Sequence, residues 1–432
     1  MALTLDGTTG ITTSGSSSSG GSGVSTNTAL GGDALKVNEA GGTNNTAIGY
    51  QALDANTTGD NNVGVGSAAL GANTTASNNI AVGAFALDAN TTGTRNNALG
   101  TYALGNATTA NDNTAMGYDA LGATSTGASN TAFGSYALTA NTTANNNTAV
   151  GYQALYSNTT GTENVGVGNF ALYANTTASY NTSIGYATLQ SNTTGAYNTA
   201  LGRAALAANT TASDNTAVGF QSLDACTTGA GNTAVGKSSL DKLTTGTNNV
   251  AIGKDAMFDS TTGNNNVALG NQALTDLTTG SGNIAIGVRP AAGGHAPAFN
   301  VTTQDNRFVA GHTSITNAYV QVAWTVTSDA RDKTDFAPVP HGLDFVNQLE
   351  PVAFKFRVSR DSDETHGNKR YGFKAQDILA LEGDDPVIID NEVPEKLKYQ
   401  GESLVPVLVN AIKELSAQVT ALQAEVNALK GQ

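Results

Sequence analysis

A glycine that recurs at a constant spacing is the feature that most restricts how this chain can fold. The series has a 17-residue period and runs from Gly49 to Gly287, fifteen units without an insertion or deletion. Each glycine has an Asn four residues before it and an apolar residue directly before it. Leu stands four residues after the glycine from Leu53 to Leu274, with Met257 as the exception among those fourteen units. An earlier unit at 27–31 fits after a one-residue slip. Such self-similarity is typical of repeat architectures.

The second landmark of the unit is Asn-Thr-Thr, followed alternately by Gly and Ala from Gly59 to Gly229 and then by Gly only. This alternation indicates expansion of a 34-residue block of two units. The Gly/Asn/Thr/Ala composition would also suit a disordered tract. Disordered segments tolerate insertions, however, so the constant spacing favours units that stack in register.

A 17-residue unit is too short for a helical hairpin, and its glycine and Asn-Thr-Thr are turn signals. We therefore predict two short strands per unit and one rung of a β-solenoid, or β-roll. Successive rungs would stack the pre-glycine apolar residue and the Leu into buried ladders, with Asn ladders along the turns. Because so few side chains are large, the core of one chain would be thin. Association of three chains would bury a second face.

The Ala-Ile-Gly and Ala-Val-Gly cores, each followed by Ala-Leu, resemble the head repeats of trimeric autotransporter adhesins. The resemblance covers residues 27–287. It implies a left-handed parallel β-roll built from three chains.

The overall charge and the cysteine content exclude several functions. With a net charge of -14 and only 12% charged residues, the chain is poorly suited to nucleic acid, which requires basic surface. No stretch is apolar and long enough to span a membrane, so no membrane insertion is predicted. Because Cys226 is the single cysteine, an intrachain disulfide framework is excluded. It stands at a repeat position that usually holds Asn, and we interpret it as a tolerated substitution. We predict no cofactor and no metal site. With no secretory signal visible at the N-terminus, synthesis in a host cytoplasm is the expectation.

The composition changes after Gly287. Residues 1–287 hold 21 of the 54 charged residues and residues 288–432 hold the other 33. The alternating run at 318–324 predicts a β-rich neck over 288–327.

The neck is followed by Ser328-Asp329-Ala330-Arg331-Asp332-Lys333, and further motifs lie at 342–346, 349–354, 372–377 and 404–415. Together they resemble the intramolecular chaperone domain of peptidase family S74, found at the ends of phage tail spikes, endosialidases and tail fibres. The resemblance implies a domain that drives trimer assembly and then cleaves the Thr327–Ser328 bond.

In the residues carried over from that family, Ser328 is the nucleophile and Lys333 the general base. A serine hydroxyl needs a nearby base, and a lysine serves when burial lowers its pKa. The base could also come from a neighbouring chain. His341 and His366 lie in Gly-flanked, loop-like stretches and are predicted to be surface residues.

The last segment predicts a helix with an apolar seam of 4-3 spacing, formed by Leu408, Ile412, Leu415, Val419, Leu422, Val426 and Leu429. A period of 3.5 residues favours a coiled coil, with an amphipathic helix packed on its own domain as the alternative. Ser403 is a plausible N-cap, and Pro406 is tolerable in a first turn.

These observations predict five regions and one leading function. The regions are an N-terminal attachment and linker segment (1–26), the solenoid (27–287), the neck (288–327), the chaperone domain (328–402) and the coiled-coil helix (403–432). The leading function is a trimeric tail fibre or similar virion appendage, joined to the tail or baseplate by its N-terminus and contacting a host surface receptor.

Two other functions stay open, a bacterial surface adhesin and a glycan-degrading tail spike. Glycoside hydrolysis requires paired carboxylates in a cleft. Asp54, Asp88 and Asp224 recur at one repeat position, which suits a solvated rim better than a unique catalytic site.

Overall fold

The computed structural model describes residues 4–6, 10–12, 26–37, 41–287, 300–311, 315, 328–357, 363–392 and 394–431. The chain divides into two compact units, Met1–His312 and Thr313–Gln432. Most of the predicted linker, the alternating run of the neck and Thr327 lie outside the described residues. At the N-terminus, β1 (Thr4–Asp6) and β2 (Gly10–Thr12) pair antiparallel.

The repeat forms a long parallel β-solenoid, as predicted. Each three-residue strand pairs in register with the strands one rung before and one rung after, as Thr148 pairs with Thr131 and with Val165. The seventeen solenoid strands of the described residues are β3 (Thr28–Leu30), β4 (Thr46–Ile48), β5 (Val63–Val65), β6 (Ile80–Val82), β7 (Asn97–Leu99), β8 (Thr114–Met116), β9 (Thr131–Phe133), β10 (Thr148–Val150), β11 (Val165–Val167), β12 (Thr182–Ile184), β13 (Thr199–Leu201), β14 (Thr216–Val218), β15 (Thr233–Val235), β16 (Val250–Ile252), β17 (Val267–Leu269), β18 (Ile284–Ile286) and β19 (Phe308–Ala310).

Each described rung contains one strand, so the prediction of two strands per unit was wrong. After the glycine the backbone enters the left-handed region twice, at Gln153 (φ +54°) and Leu155 (φ +53°) in one rung. This path curls too tightly for a strand. It still bonds to the next rung, since the Leu155 N–H donates to the Ala171 carbonyl at 2.9 Å. Hydrogen bonds between rungs thus continue around the turns as well as along the sheet.

The recurrent glycine is required by the close approach of successive rungs. Its φ lies between +127° and +140° in every unit from Gly49 to Gly287, a region that side-chain-bearing residues rarely adopt. A Cβ placed on Gly151 would lie 2.7 Å from the carbonyl carbon and oxygen of Gly168. Sterics at this one position explain why the glycine never varies.

The core of the solenoid consists of the repeat leucines and small residues. The Leu ladder is buried as predicted; Leu155, for example, has 0% exposure. The pre-glycine residues, predicted to be buried, instead point outward. In each three-residue strand the middle residue, such as Ala149, faces the core, so both flanking side chains face away.

The outward pre-glycine residues line up along the shaft, exposed or half-buried, and we call this line the apolar stripe. Its members are Leu30, Ile48, Val65, Val82, Leu99, Met116, Phe133, Val150, Val167, Ile184, Leu201, Val218, Val235, Ile252, Leu269 and Ile286.

Buried asparagines form two ladders inside the solenoid. In the first, four residues before the glycine, the backbone N–H of Asn147 donates to the Asn130 side-chain oxygen at 3.0 Å. The Asn147 amide donates to the Gly161 carbonyl at 2.8 Å. In the second, seven residues after the glycine, the Asn73 amide donates to the Asn56 oxygen at 2.9 Å. Buried amides are stable here because most of their groups are paired.

The second ladder has gaps where another residue replaces Asn. The side-chain oxygens of Asn90 and Asn209 are buried without a hydrogen-bond partner, and the residues one rung further are Ala107 and Cys226. The Cys226 thiol is buried and donates to the Gly229 carbonyl at 3.3 Å, as Asn does elsewhere. Burial raises its pKa to about 11. The structure thus places Cys226 in an Asn position of the core.

Irregular rungs stand at both ends of the shaft. Thr28 of β3 pairs with Thr46, which matches the predicted one-residue slip. At the other end Ile284 pairs with Phe308, a larger offset than in the regular rungs. The solenoid therefore continues for one strand beyond Gly287.

The second unit combines short helices with two-stranded sheets around a small core. Its 3-10 turns are Ala330–Asp332, Pro394–Lys396 and Gly401–Ser403, and its other elements are α1 (Leu343–Gln348), β20 (Val352–Arg357), β21 (Thr365–Gly372), α2 (Ala375–Glu382), β22 (Ile389–Asp390), β23 (Lys398–Tyr399) and α3 (Leu404–Lys430). The sheets are the antiparallel pairs β20–β21 and β22–β23. The buried core is Phe345, Ile378, Ile388, Ile389, Leu404 and Val407.

The first turns of α3 hold the start of α1. The Glu414 carboxylate accepts from the Leu343 N–H at 2.7 Å, and the Asn410 amide donates to the His341 carbonyl at 3.0 Å. The His341 ring stacks on Phe345 with 4.3 Å between centroids. His341 is therefore half-buried rather than a surface residue, because α1 and α3 close over it. The His366 side chain lies outside the described residues.

Helix α3 matches the predicted C-terminal helix and leaves its seam uncovered. Leu404, Val407 and Ala411 are the buried residues of this helix. The seam lies on another face and is exposed, with Ile412 at 65% and Leu422 at 61%. Packing on its own domain thus accounts for the start of the helix only. Pro406 lies in the first turn as expected, while Ser403 holds the N-cap position without a side-chain hydrogen bond.

Candidate autoprocessing site

The segment after the neck forms a short turn that begins at Ser328. Asp329 caps the 3-10 turn Ala330–Asp332, because its carboxylate accepts from the Arg331 backbone N–H at 2.9 Å. The Lys333 N–H donates to the Ala330 carbonyl at 3.3 Å. This local folding returns the chain on itself, so that residue 333 comes back toward residue 328.

The turn brings the two predicted catalytic side chains together. The Lys333 ammonium Nζ donates to the Ser328 hydroxyl Oγ at 2.6 Å. Within one chain both residues are exposed, as is the whole segment 328–340. A lysine acts as a base in its neutral form, which desolvation favours. The 2.6 Å distance suits proton transfer between Ser328 Oγ and Lys333 Nζ. Burial of these two side chains would require atoms from outside residues 328–340.

A carboxylate–guanidinium pair beside the serine organises the turn. Arg331 Nη2 lies 2.5 Å from Asp329 Oδ2, and hydrogen bonds from the Arg331 side chain and backbone hold the pKa of Asp329 below its usual value. Neither Asp329 nor Arg331 was assigned a role from the sequence. The sequence did contain a signal for Asp329, because an Asp side chain commonly caps a short turn by accepting from the backbone N–H two residues later.

The repeated aspartates of the shaft are not part of the Ser328–Lys333 arrangement. Asp54, Asp88 and Asp224 are half-buried rather than fully solvated, and burial raises the pKa of each. The charge of Asp54 adds to the rise at Asp88. Within the described ranges no group of three or more His, Cys, Asp or Glu residues has the arrangement of a metal site. None of the described helices is apolar enough over a sufficient length to cross a membrane.

Comparison with protein-family models matches residues 328–386 to the S74 peptidase family, described as the chaperone of endosialidase. The matched range begins at Ser328 itself. The C-terminal region carries an S74 chaperone domain. Together with the β-solenoid, this domain fits a tail fibre with a C-terminal chaperone and indicates a virion-associated protein. No curated protein matches the chain.

Proposed function

We propose that this chain is a phage tail-fibre protein that assembles as a homotrimer and contacts the host surface. In this proposal the S74 domain sets the trimer and then cleaves the chain between Thr327 and Ser328. The observation that carries the proposal is the 2.6 Å hydrogen bond between Lys333 and Ser328, at the first residue of the matched domain. The N-terminal segment 1–26 would join the fibre to the tail or baseplate.

The apolar stripe supports association of the shafts. It runs from Leu30 to Ile286, so nearly every rung presents an apolar side chain to solvent in the single chain. Soluble proteins rarely leave long contiguous apolar surfaces uncovered. In a parallel trimer each stripe residue meets its own copies, which buries the same apolar group on all three chains.

The seam of α3 also supports parallel association. Its residues repeat with the 3.5-residue period of a coiled coil and are largely exposed in the chain alone. Parallel association of α3 would bury Ile412 and Leu422 against their copies. The shaft and the helix thus both present apolar surfaces to identical partners.

A chaperone domain would prevent the chains of this shaft from associating out of register. Because the rungs are nearly identical, three chains shifted by one whole rung would lose little local contact energy. A domain that associates first would set the register before the rungs pair. Cleavage then removes the register-setting element, so the finished fibre is held by a kinetic barrier.

The proposed cleavage follows from the position of the hydroxyl. Ser328 Oγ attacks the carbonyl carbon of Thr327, Lys333 accepts the hydroxyl proton, and that proton passes to the Ser328 amide nitrogen as the peptide bond breaks. The product is an ester between Thr327 and Ser328 with a free α-amine on Ser328. Water then hydrolyses the ester, which leaves a carboxylate on Thr327 and restores the Ser328 hydroxyl.

Neighbouring chains would complete the site. The Ser328 and Lys333 side chains are exposed in one chain, and a basic lysine requires desolvation. Trimer assembly would supply that burial, so cleavage would follow assembly rather than precede it. The lysine would act within its own chain, given its 2.6 Å contact with Ser328.

Denaturing gel electrophoresis with mass spectrometry tests the cleavage. We expect wild type to yield two fragments that meet at Thr327/Ser328. Ser328→Ala and Lys333→Ala should each leave one intact band, whereas Lys369→Ala, an exposed lysine of β21, should cleave like wild type. An intact wild-type band would refute the protease and leave a permanent assembly domain.

The chaperone role has a separate test. A chain ending at residue 327 should yield far less soluble trimer than the uncleaved Ser328→Ala chain, measured by light scattering after size-exclusion chromatography. Equal yields of native trimer from both chains would contradict the assembly role.

A further inference from the structure

A continuous line of aromatic rings runs along one edge of the shaft, at the two positions that lie one and two residues after the repeat glycine. Seven residues from seven consecutive rungs contact one another, each with 5.2–6.3 Å between its centroid and the next. We call them the aromatic ladder: Phe85, Tyr102, Tyr118, Tyr136, Tyr152, Phe170 and Tyr186.

The ladder is widest at its middle. Tyr156 and Tyr173 stack on each other at 5.2 Å and join the ladder through Tyr136 and Phe170, at 6.4 and 5.9 Å. Together with Tyr152 they form a platform of five rings over three rungs. The Tyr152 ring is 43% exposed.

The fold does not require aromatic residues at this edge. Other rungs have Ser67 and Ala68, or Lys237 and Ser238, in the same two positions. Their backbone bonds are equivalent, since the Ser238 N–H donates to the rung before it at 2.8 Å and the Tyr136 N–H does so at 2.9 Å. The rings are therefore an addition to a rung that already folds without them.

The continuation of this edge argues against burial in a parallel trimer interface. Beyond Tyr186 the position directly after the glycine holds Arg203, Phe220, Lys237 and Lys254 in successive rungs, and Arg203 lies 5.9 Å from the Tyr186 ring centroid. In an in-register parallel interface each cation would face its own copies, which is unfavourable. The apolar stripe has no such charges. In the proposed parallel trimer the aromatic edge would therefore face solvent.

The surface chemistry suits an uncharged ligand with hydroxyl groups. Between residues 50 and 187 the two edge positions contain no Lys or Arg. The tyrosines offer an apolar ring face with a hydroxyl that donates and accepts, and Gln153, Asn169 and Asp119 lie at the same edge positions. Aromatic faces with a few polar groups are typical of ligand sites.

The regular spacing favours a polymer. Rungs repeat at about 4.8 Å along the shaft, a spacing close to the length of one sugar ring in a polysaccharide. We propose that the aromatic ladder binds a neutral polysaccharide chain laid along the shaft, with sugar rings stacked on the platform. This inference rests on the proposed attachment function and supplies the chemical class of the receptor.

The test uses the full-length protein in affinity electrophoresis through gels containing dextran, laminarin, mannan or galactomannan, with alginate as an acidic probe. We expect at least one neutral polysaccharide to retard wild type. The double variant Tyr152→Ala/Phe170→Ala should weaken that retardation by roughly tenfold or more. The matched control is Tyr180→Ala/Tyr197→Ala, which removes a stacked pair (5.0 Å) on another edge and should bind like wild type.

Three outcomes would overturn the inference. These are retardation by none of the neutral polysaccharides, retardation by alginate alone, and equal weakening by the control pair. Loss of the wild-type oligomer in Tyr152→Ala/Phe170→Ala would assign the platform to another copy of the chain instead. Fragment formation at Thr327/Ser328 is scored on the same samples, so a failed glycan test with normal cleavage leaves the fibre proposal intact.

Discussion

The two units of this chain differ in how much of their structure one chain completes. In the shaft each rung bonds to the next, and leucines such as Leu155 have no exposure. The C-terminal unit has a small core, while much of its apolar surface, including Tyr371 (87% exposed) and Ile412, faces solvent. The shaft builds a closed core by its own repetition and leaves its apolar stripe uncovered, whereas the C-terminal unit has a small core and leaves much of its apolar surface uncovered.

This difference indicates which of the two units can set the register of associating chains. A repeat that pairs equally well at every whole-rung offset carries no information about which rung should meet which. The C-terminal unit does not contain the 17-residue repeat, so a shift by one whole rung would misalign its surfaces. Under the proposed trimer, register would therefore be specified by the C-terminal unit rather than by the shaft.

The largest expected effect comes from charging the seam of α3. In the uncleaved Ser328→Ala background, Leu422→Asp should abolish assembly of the oligomer, because three carboxylates would meet in an apolar interface. Ala424→Asp lies on the opposite face of the helix and should leave the oligomer unchanged. Light scattering after size-exclusion chromatography measures both. An intact Leu422→Asp oligomer would mean that α3 does not hold the chains together.

The next effect concerns the rung-to-rung approach in the shaft. Gly117→Ala should destabilise the shaft by at least about 3 kcal/mol, because φ is +136° and the new Cβ would lie 2.6 Å from the Gly134 carbonyl. Gly105→Ala is the control, because other rungs carry a side chain at the same repeat position, such as Asp54 and Asp88. Thermal unfolding followed by circular dichroism compares them. Equal midpoints would contradict the steric account of the repeat glycine.

The smallest expected effect is an increase in the stability of the shaft. Ala107→Asn and Cys226→Asn should each stabilise the shaft by about 1 kcal/mol, because the new amide can donate to the unpaired oxygen of Asn90 or Asn209. Cys226→Ser is the control, because its shorter side chain does not reach Asn209. Denaturant unfolding measures the three variants. If the serine variant gains as much as Cys226→Asn, the ladder bond is not the cause.

Much of the fold was predictable because a repeat constrains every unit at once. The period located the rungs, the Leu ladder was correctly placed in the core, and the heptad spacing located α3. The number of strands per rung was mispredicted, since the left-handed backbone of Gln153 and Leu155 leaves no trace in residue type. The dyad was predictable only as a resemblance. No local rule states that Lys333 returns to Ser328 through a capped turn.

The sequence by itself determined the period, the invariant glycine and the buried leucine. Each of these depends on the size or chemistry of one residue type at a regular position. Only the tertiary structure decided that the pre-glycine residues face outward. The direction of the chain at the turn decides on which face of the strand these side chains lie. A strand of three residues is too short for an alternating pattern in the sequence to reveal that face. The aromatic ladder likewise exists only once rungs stack, because its rings belong to successive repeats rather than to neighbouring residues.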